Sequence, residues 1–150
     1  MAGISGGARR YALAVDDKVA ALRDVPLFAD LDERAIQAVA VLAHEVHFKV
    51  GDALMLEGEV GDGFFVILDG TVRIDRGDRQ IRSMSAGGFL GEIALLEKRP
   101  RTATATAVSD VTALELRHHE FERLLDTMPA VRQRVQAAVD RRERGRGDAG

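Results

Sequence analysis

The sequence predicts an α+β chain that is mainly β, with short strands in its middle and helices before and after them. Three observations carry that expectation. Between Glu45 and Arg117 apolar residues recur with period two in short runs, and glycine-bearing turns separate the runs. On either side of that region the period lengthens to that of a helix. The composition, 46% hydrophobic and 30% charged with no cysteine, is that of a folded domain, neither disordered nor built on disulfides. Many short strands with glycine turns read as a sandwich, a roll or a barrel. A length of 150 residues suffices for one domain with a real core.

Taken in order, residues 1–7 are small and glycine-rich, the composition of a disordered start. The stretch 11–23 carries Leu13, Val19 and Leu22 among charges and predicts an amphipathic helix, broken by Val25-Pro26-Leu27-Phe28. Asp30 and Glu33 have capping-box spacing, and Ile36, Val39, Ala40 and Ala43 follow at helical period. Val46, Phe48 and Val50 then alternate with Glu45, His47 and Lys49, as in a half-buried strand. Gly51-Asp52 turns the chain into 53–57, where Leu54 and Leu56 are expected on one face. Residues 58–63 form a loop with three glycines, and 64–68 are a continuous apolar strand. Gly70 leads into 71–76, with Val72 and Ile74 inward, and Gly77-Asp78 joins it to 79–84 as a hairpin.

Further on, 102–108 alternate threonine with alanine, Ser109-Asp110 turns, and 111–117 form the last strand. A helix is expected over 119–126, with Phe121, Leu124 and Leu125 on its apolar side. Pro129 suits the first turn of another helix. In it Val131, Val135 and Val139 recur at i, i+4 and i+8, with Ala138 beside them. That stripe fits a core face, a pairing face for another helix, or a lid over a ligand. Residues 141–150 dissolve into Arg, Glu and Gly and read as a disordered basic tail. The expected division is thus a helical segment over 1–26, a domain over 27–140 and the tail.

The chemistry concentrates between Gly87 and Ala107. Gly87 and Gly88 permit a tight turn. After Gly91 come good helix formers, and Pro100 ends the segment. Gly91 is therefore expected near the N-terminus of a short helix, where free N–H groups and the dipole favour an anion. Arg101 follows with a planar fork of donors suited to phosphate or carboxylate. Thr102 adds a hydroxyl, and Ala103 leaves room for close approach. Glu92 would repel a phosphate, so its natural task is to accept hydrogen bonds from hydroxyls, and a ligand with both groups is a sugar phosphate or nucleotide. The plain alternative is a surface Glu92 and Arg101 that pair with each other.

The run G-E-I-A-L-L, three intervening residues, then P-R-T-A closely resembles the phosphate-binding cassette of cyclic nucleotide-binding domains. That family includes the bacterial catabolite activator proteins, the regulatory subunits of cyclic AMP-dependent kinase, and the cyclic nucleotide-gated channels. The resemblance extends from about Leu27 to about Val135 and selects one architecture: an antiparallel, jelly-roll-like β-roll with N-terminal helices and C-terminal hinge and lid helices. It implies that Gly91, Ile93 and Ala94 offer backbone N–H groups to phosphate and ribose, and that Glu92 holds the 2′-hydroxyl. Arg101 would neutralise the cyclic phosphate, Thr102 and Ala103 would complete the cradle, and Leu90 and Val72 would form an apolar wall. Phe121 or Leu124 would be the hinge through which ligand swings the last helix.

The expected ligand is cyclic AMP, with cyclic GMP admitted because the hydroxyl of Thr102 forbids neither base; no cofactor is implied. Two other readings compete: a non-binding β-roll interaction module, and a regulatory fragment of a larger channel or enzyme. A protein effector of unknown identity follows from the sensor reading, and a homodimer through the C-terminal helix is an option that the valine stripe leaves open. No DNA partner is expected, because nothing after the last helix resembles a helix-turn-helix and the net charge is -3. No signal peptide or membrane segment is legible, and the expected location is cytoplasmic.

The remaining signals have ordinary explanations. His44 and His47, and His118-His119-Glu120, complete no metal-ligand pattern. Arg76-Gly77-Asp78 and Arg146-Gly147-Asp148 fall at a hairpin tip and in the tail. The C-terminal arginines alternate with Asp140 and Glu143, as on a solvated helix face. No Walker A, dinucleotide or nucleophile-elbow pattern appears, and Glu92 and Arg101 lack a nucleophile or metal for phosphodiester hydrolysis. Catalysis is not expected.

Overall fold

A computed structural model describes residues 13–91 and 99–146. Two helices, α1 (Val15–Arg23) and α2 (Glu33–Leu42), precede eight strands. These are β1 (His44–Phe48), β2 (Ala53–Met55), β3 (Gly63–Asp69), β4 (Val72–Arg76), β5 (Arg79–Met84), β6 (Phe89–Leu90), β7 (Thr104–Ala107) and β8 (Val111–Arg117). Helices α3 (His118–Thr127) and α4 (Pro129–Arg146) close the chain. Among the described residues the strands form two antiparallel sheets, ordered β1-β8-β3-β6 and β2-β7-β4-β5. The α+β, mainly β expectation is met. The short helix expected after Gly91 lies outside the described residues.

The continuous apolar run of β3 has a physical cause: the strand is buried on both faces. Phe64 and Val66 point into a cluster made by the helices, while Phe65 and Ile67 point into the space between the two sheets. Strand β8, the neighbour of β3, divides the same way. Leu114 and Leu116 face the helices, and Val111 and Ala113 face the roll interior. The helical cluster is knotted by aromatic rings. Phe28 meets Phe64 edge-on at 5.8 Å and Phe121 at 6.0 Å, joining the segment after α1 to β3 and α3.

Several local expectations are corrected. The N-cap of α2 is Asp32, whose carboxylate accepts from Ala35 N at 2.8 Å, so Asp30 and Glu33 form no capping box. Glu33 instead accepts from Arg23 and Gln37. Strand β1 ends at Phe48, because Asp52 already bonds back to Lys49 in a turn; Val50 is left 64% exposed. In β2 a register irregularity between Ala53 and Met55 buries Leu54 and Met55 together and turns Leu56 outward. At the other end α4 continues to Arg146, past Arg141, where the composition reads as a frayed tail.

Val131 and Val135 are buried in the helical cluster with Leu22, Phe28 and Phe121. The described part of the valine stripe is thus a core face; the side chains of Ala138 and Val139 lie outside what is described. No described helix is long and apolar enough to cross a membrane.

Candidate functional site

Strand β6 delivers Leu90 into the roll interior, paired with Phe65 of β3, and the chain then turns through Gly91 at φ +81°. An L side chain rarely adopts that conformation, so glycine is required there. When the chain is described again it runs through Pro100, bridged to Val60, and Arg101. Here the backbone is clipped to the loop before β3: Arg101 N donates to Glu59 O, and Gly58 N donates to Arg101 O, both at 2.8 Å. The following residues are tied on the other side, where Arg76 Nε reaches Thr102 O at 3.2 Å and Glu57 N reaches Thr104 Oγ1 at 2.9 Å. Arg101 therefore stands on a stretch fixed by two neighbouring segments.

Its side chain is only 7% exposed, and it is the single buried charged residue among the described residues. Nη2 donates to Gly63 O at 2.6 Å. Nε has no hydrogen-bond partner among the described residues. Burial lowers the pKa of the guanidinium from its usual value, and the nearby Asp62 carboxylate opposes that shift. The usual value lies so far above neutrality that the group stays charged. A buried cation with a donor left over is costly unless an anion comes to it.

Gly91 and Arg101, ten residues apart in sequence, are brought together: a Cβ on Gly91 would fall 2.7 Å from Arg101 Nη1 and 2.7 Å from Gly63 O. A cleft of about 170 Å³ runs past Arg101, lined among others by Leu54, Val60, Gly61, Asp62, Phe65 and Glu115. Thr102 is exposed, and Ala103 is fully buried facing the roll interior. Val72 and Leu90 are buried in that interior as well. Phe121 and Leu124 belong to the helical cluster, across β3 and β8 from it. Glu92, Ile93 and Ala94 lie outside the described residues.

Residues 58–63 are legible from sequence only as a loop with three glycines. The stretch supplies the carbonyl of Gly63, at the start of β3, the carboxylate of Asp62 and the close approach of Gly61. A neighbour comes near at Gly61 and Gly63, whereas Gly58 has open space beside it and a positive φ. The histidines behave as surface groups: His44 contacts Glu120 at 3.2 Å and His47 contacts Glu45 at 3.0 Å. No cluster able to hold a metal occurs among the described residues. Arg132 is held by Glu122 and Asp126, and Arg134 by Asp30 O.

The family of cyclic nucleotide-binding domains matches residues 45–128, more than half of the chain. This chain belongs to that family. A cyclic nucleotide-binding domain is a regulatory unit, found in regulatory subunits and in whole kinases among the relatives. The regulatory subunit of cAMP-dependent protein kinase from Hypocrea atroviridis is 31% identical over 114 residues, 76% of this chain and 25% of that protein. The cGMP-dependent protein kinase, isozyme 1, of Drosophila melanogaster is 31% identical over 119 residues, 74% of this chain and 16% of that one. The chain thus spans a quarter or less of the length of these two relatives. Among solved structures, the N-terminal domain of a transcriptional regulator from Streptomyces coelicolor A3(2) superposes with a TM-score of 0.76 at 33% identity. That likeness covers 83% of this chain and 93% of the other, and it extends the β-roll architecture over both the strands and the flanking helices.

Proposed function

We propose that this domain is a sensor that binds a cyclic nucleoside monophosphate, cyclic AMP in preference to cyclic GMP, and answers by moving its C-terminal helices. The observation that carries the reading is Arg101: a buried, charged guanidinium with Nη2 on Gly63 O and Nε without a partner among the described residues. Such a group is a receptor for a single compact anion, and a cyclic phosphate is one. Glu92 would accept the 2′-hydroxyl, while the N–H groups of Gly91, Ile93 and Ala94 would close around phosphate and ribose. Thr102, exposed beside Arg101, and Ala103 would complete the cradle. The burial of Val72 and Leu90 in the roll interior suits an apolar wall.

Phe121 and Leu124 are the proposed hinge, because the strands that divide the roll interior from the helical cluster are common to both. Ligand would shift the helices only by preferring one of their arrangements. The receiver of that movement would be a protein effector, and the proposed location is the cytoplasm. Calorimetry with cyclic AMP and cyclic GMP tests the reading. Both should bind, cyclic AMP more tightly; tighter cyclic GMP binding overturns the choice of ligand, and binding of neither overturns the function.

A further inference from the structure

We propose that Gly61, outside the cassette, is a positioning residue that sets where the guanidinium of Arg101 sits. The proposal rests on the nucleotide reading above and adds a residue to it. Gly61 lies in the loop before β3, the one clipped to the backbone of Arg101 by the Gly58 N and Glu59 O hydrogen bonds. A Cβ built on Gly61 would come within 2.5 Å of Nη2 of Arg101 and closer still to Nε and Cζ. Gly91 bounds the Nη1 edge, and Gly63 O holds Nη2. The volume that any other residue at position 61 would fill is therefore the volume in which the guanidinium lies.

Space alone explains the glycine. Gly61 is not among the residues with positive φ, so a side chain there would strain no backbone. Nor would it unfold the loop, because the group it meets is the far end of a flexible side chain, which can swing away. What would be lost is the position of the charge. The donor directed at the anion would leave its place, and alignment is what a planar, forked donor contributes over a point charge. Asp62, next in the chain, places a carboxylate near the same guanidinium, so one short loop supplies both room and counter-charge.

The test is Gly61→Ala, in the wild-type chain and in Arg101→Lys. Cyclic AMP affinity should fall about tenfold or more in the wild-type chain, the order expected when a charged contact is misaligned. In the Arg101→Lys chain, whose slimmer ammonium fits beside a Cβ, the same substitution should change affinity less than about twofold. An affinity unchanged by Gly61→Ala, or one lowered equally in both chains, overturns the proposal. A second readout needs no nucleotide. The side-chain Nε–H resonance of Arg101, assigned by its loss in Arg101→Lys, should shift and exchange faster with solvent in Gly61→Ala. If it stays unmoved the positioning role is wrong, whereas failure of cyclic AMP to bind the wild-type chain would count only against the choice of ligand.

Discussion

The two apolar clusters of this domain differ in the size of the side chains that fill them. The helical one is filled by large rings: Phe28, Phe64 and Phe121 are fully buried and meet edge to face. Among the described residues the roll interior has a single ring pair, Phe48 and Phe65, and a run of small side chains: Ala105 and Ala107 of β7, Ala103 just before that strand and Ala113 of β8, with Arg101 buried just ahead of them. A cluster of interlocking rings leaves little room and resists change. Alanines let backbones approach closely, and the cleft past Arg101 is lined by Leu54, Met55 and Phe65 of the same cluster. The ring knot thus lies on one side of β3 and the candidate site on the other.

That contrast can be broken from either side. The largest expected effect is on the helical side, where Phe28→Ala should lower unfolding free energy in urea by about 3–5 kcal/mol, the usual range for deleting a buried ring. Cyclic nucleotide affinity of the protein that remains folded should change far less than in a variant that removes Arg101. A loss of less than about 1 kcal/mol, the scale of a surface substitution, would mean the knot is not what holds the helices.

On the other side, Arg101→Ala should do the reverse. Affinity should drop on the order of 30- to several-thousand-fold, corresponding to the ~2–5 kcal/mol of a truncated buried charge contact. Stability should stay within about 1 kcal/mol, because a poorly satisfied buried cation leaves with the contact it made. Wild-type affinity in this variant would remove Arg101 from the site.

The smallest effect sharpens the comparison within the site itself. Thr102 is exposed where Ala103 is buried, so its hydroxyl would be accessible to a base or phosphate. Thr102→Ala should weaken cyclic GMP more than cyclic AMP, with the ratio moving roughly tenfold or less, as suits one hydrogen bond of about 0.5–1.5 kcal/mol. An unchanged ratio would mean that Thr102 takes no part in selecting the base.

Strands and helices were legible because their periods are local. The apolar run 64–68 and the alternation in 102–108 became β3 and β7 within a residue or two. What failed depended on partners. Leu56 alternates correctly with Leu54 on paper, but the irregularity against β7 puts Met55 inward in its place. The cap of α2 fell on Asp32 because cap geometry follows where the preceding turn releases the chain, and residue spacing alone does not fix that. In the site, Gly91 and Arg101 were legible as a motif of close spacing. Gly63 O lies 38 residues from Arg101 in sequence, and no local pattern announces a carbonyl. Gly61 was visible only as one glycine of a flexible-looking loop.

The odd-numbered and even-numbered apolar residues of β3 belong to different clusters, so a slip of one position against β8 would exchange Phe64 and Val66 with Phe65 and Ile67 and spoil both at once. Strands β3 and β8 are a wall that the two clusters share. The roll cannot open along this seam without exposing the ring knot, and the helices cannot detach without baring one side of the sheet. The whole unit is therefore expected to melt as a single cooperative block, with coincident transitions on the two sides of β3.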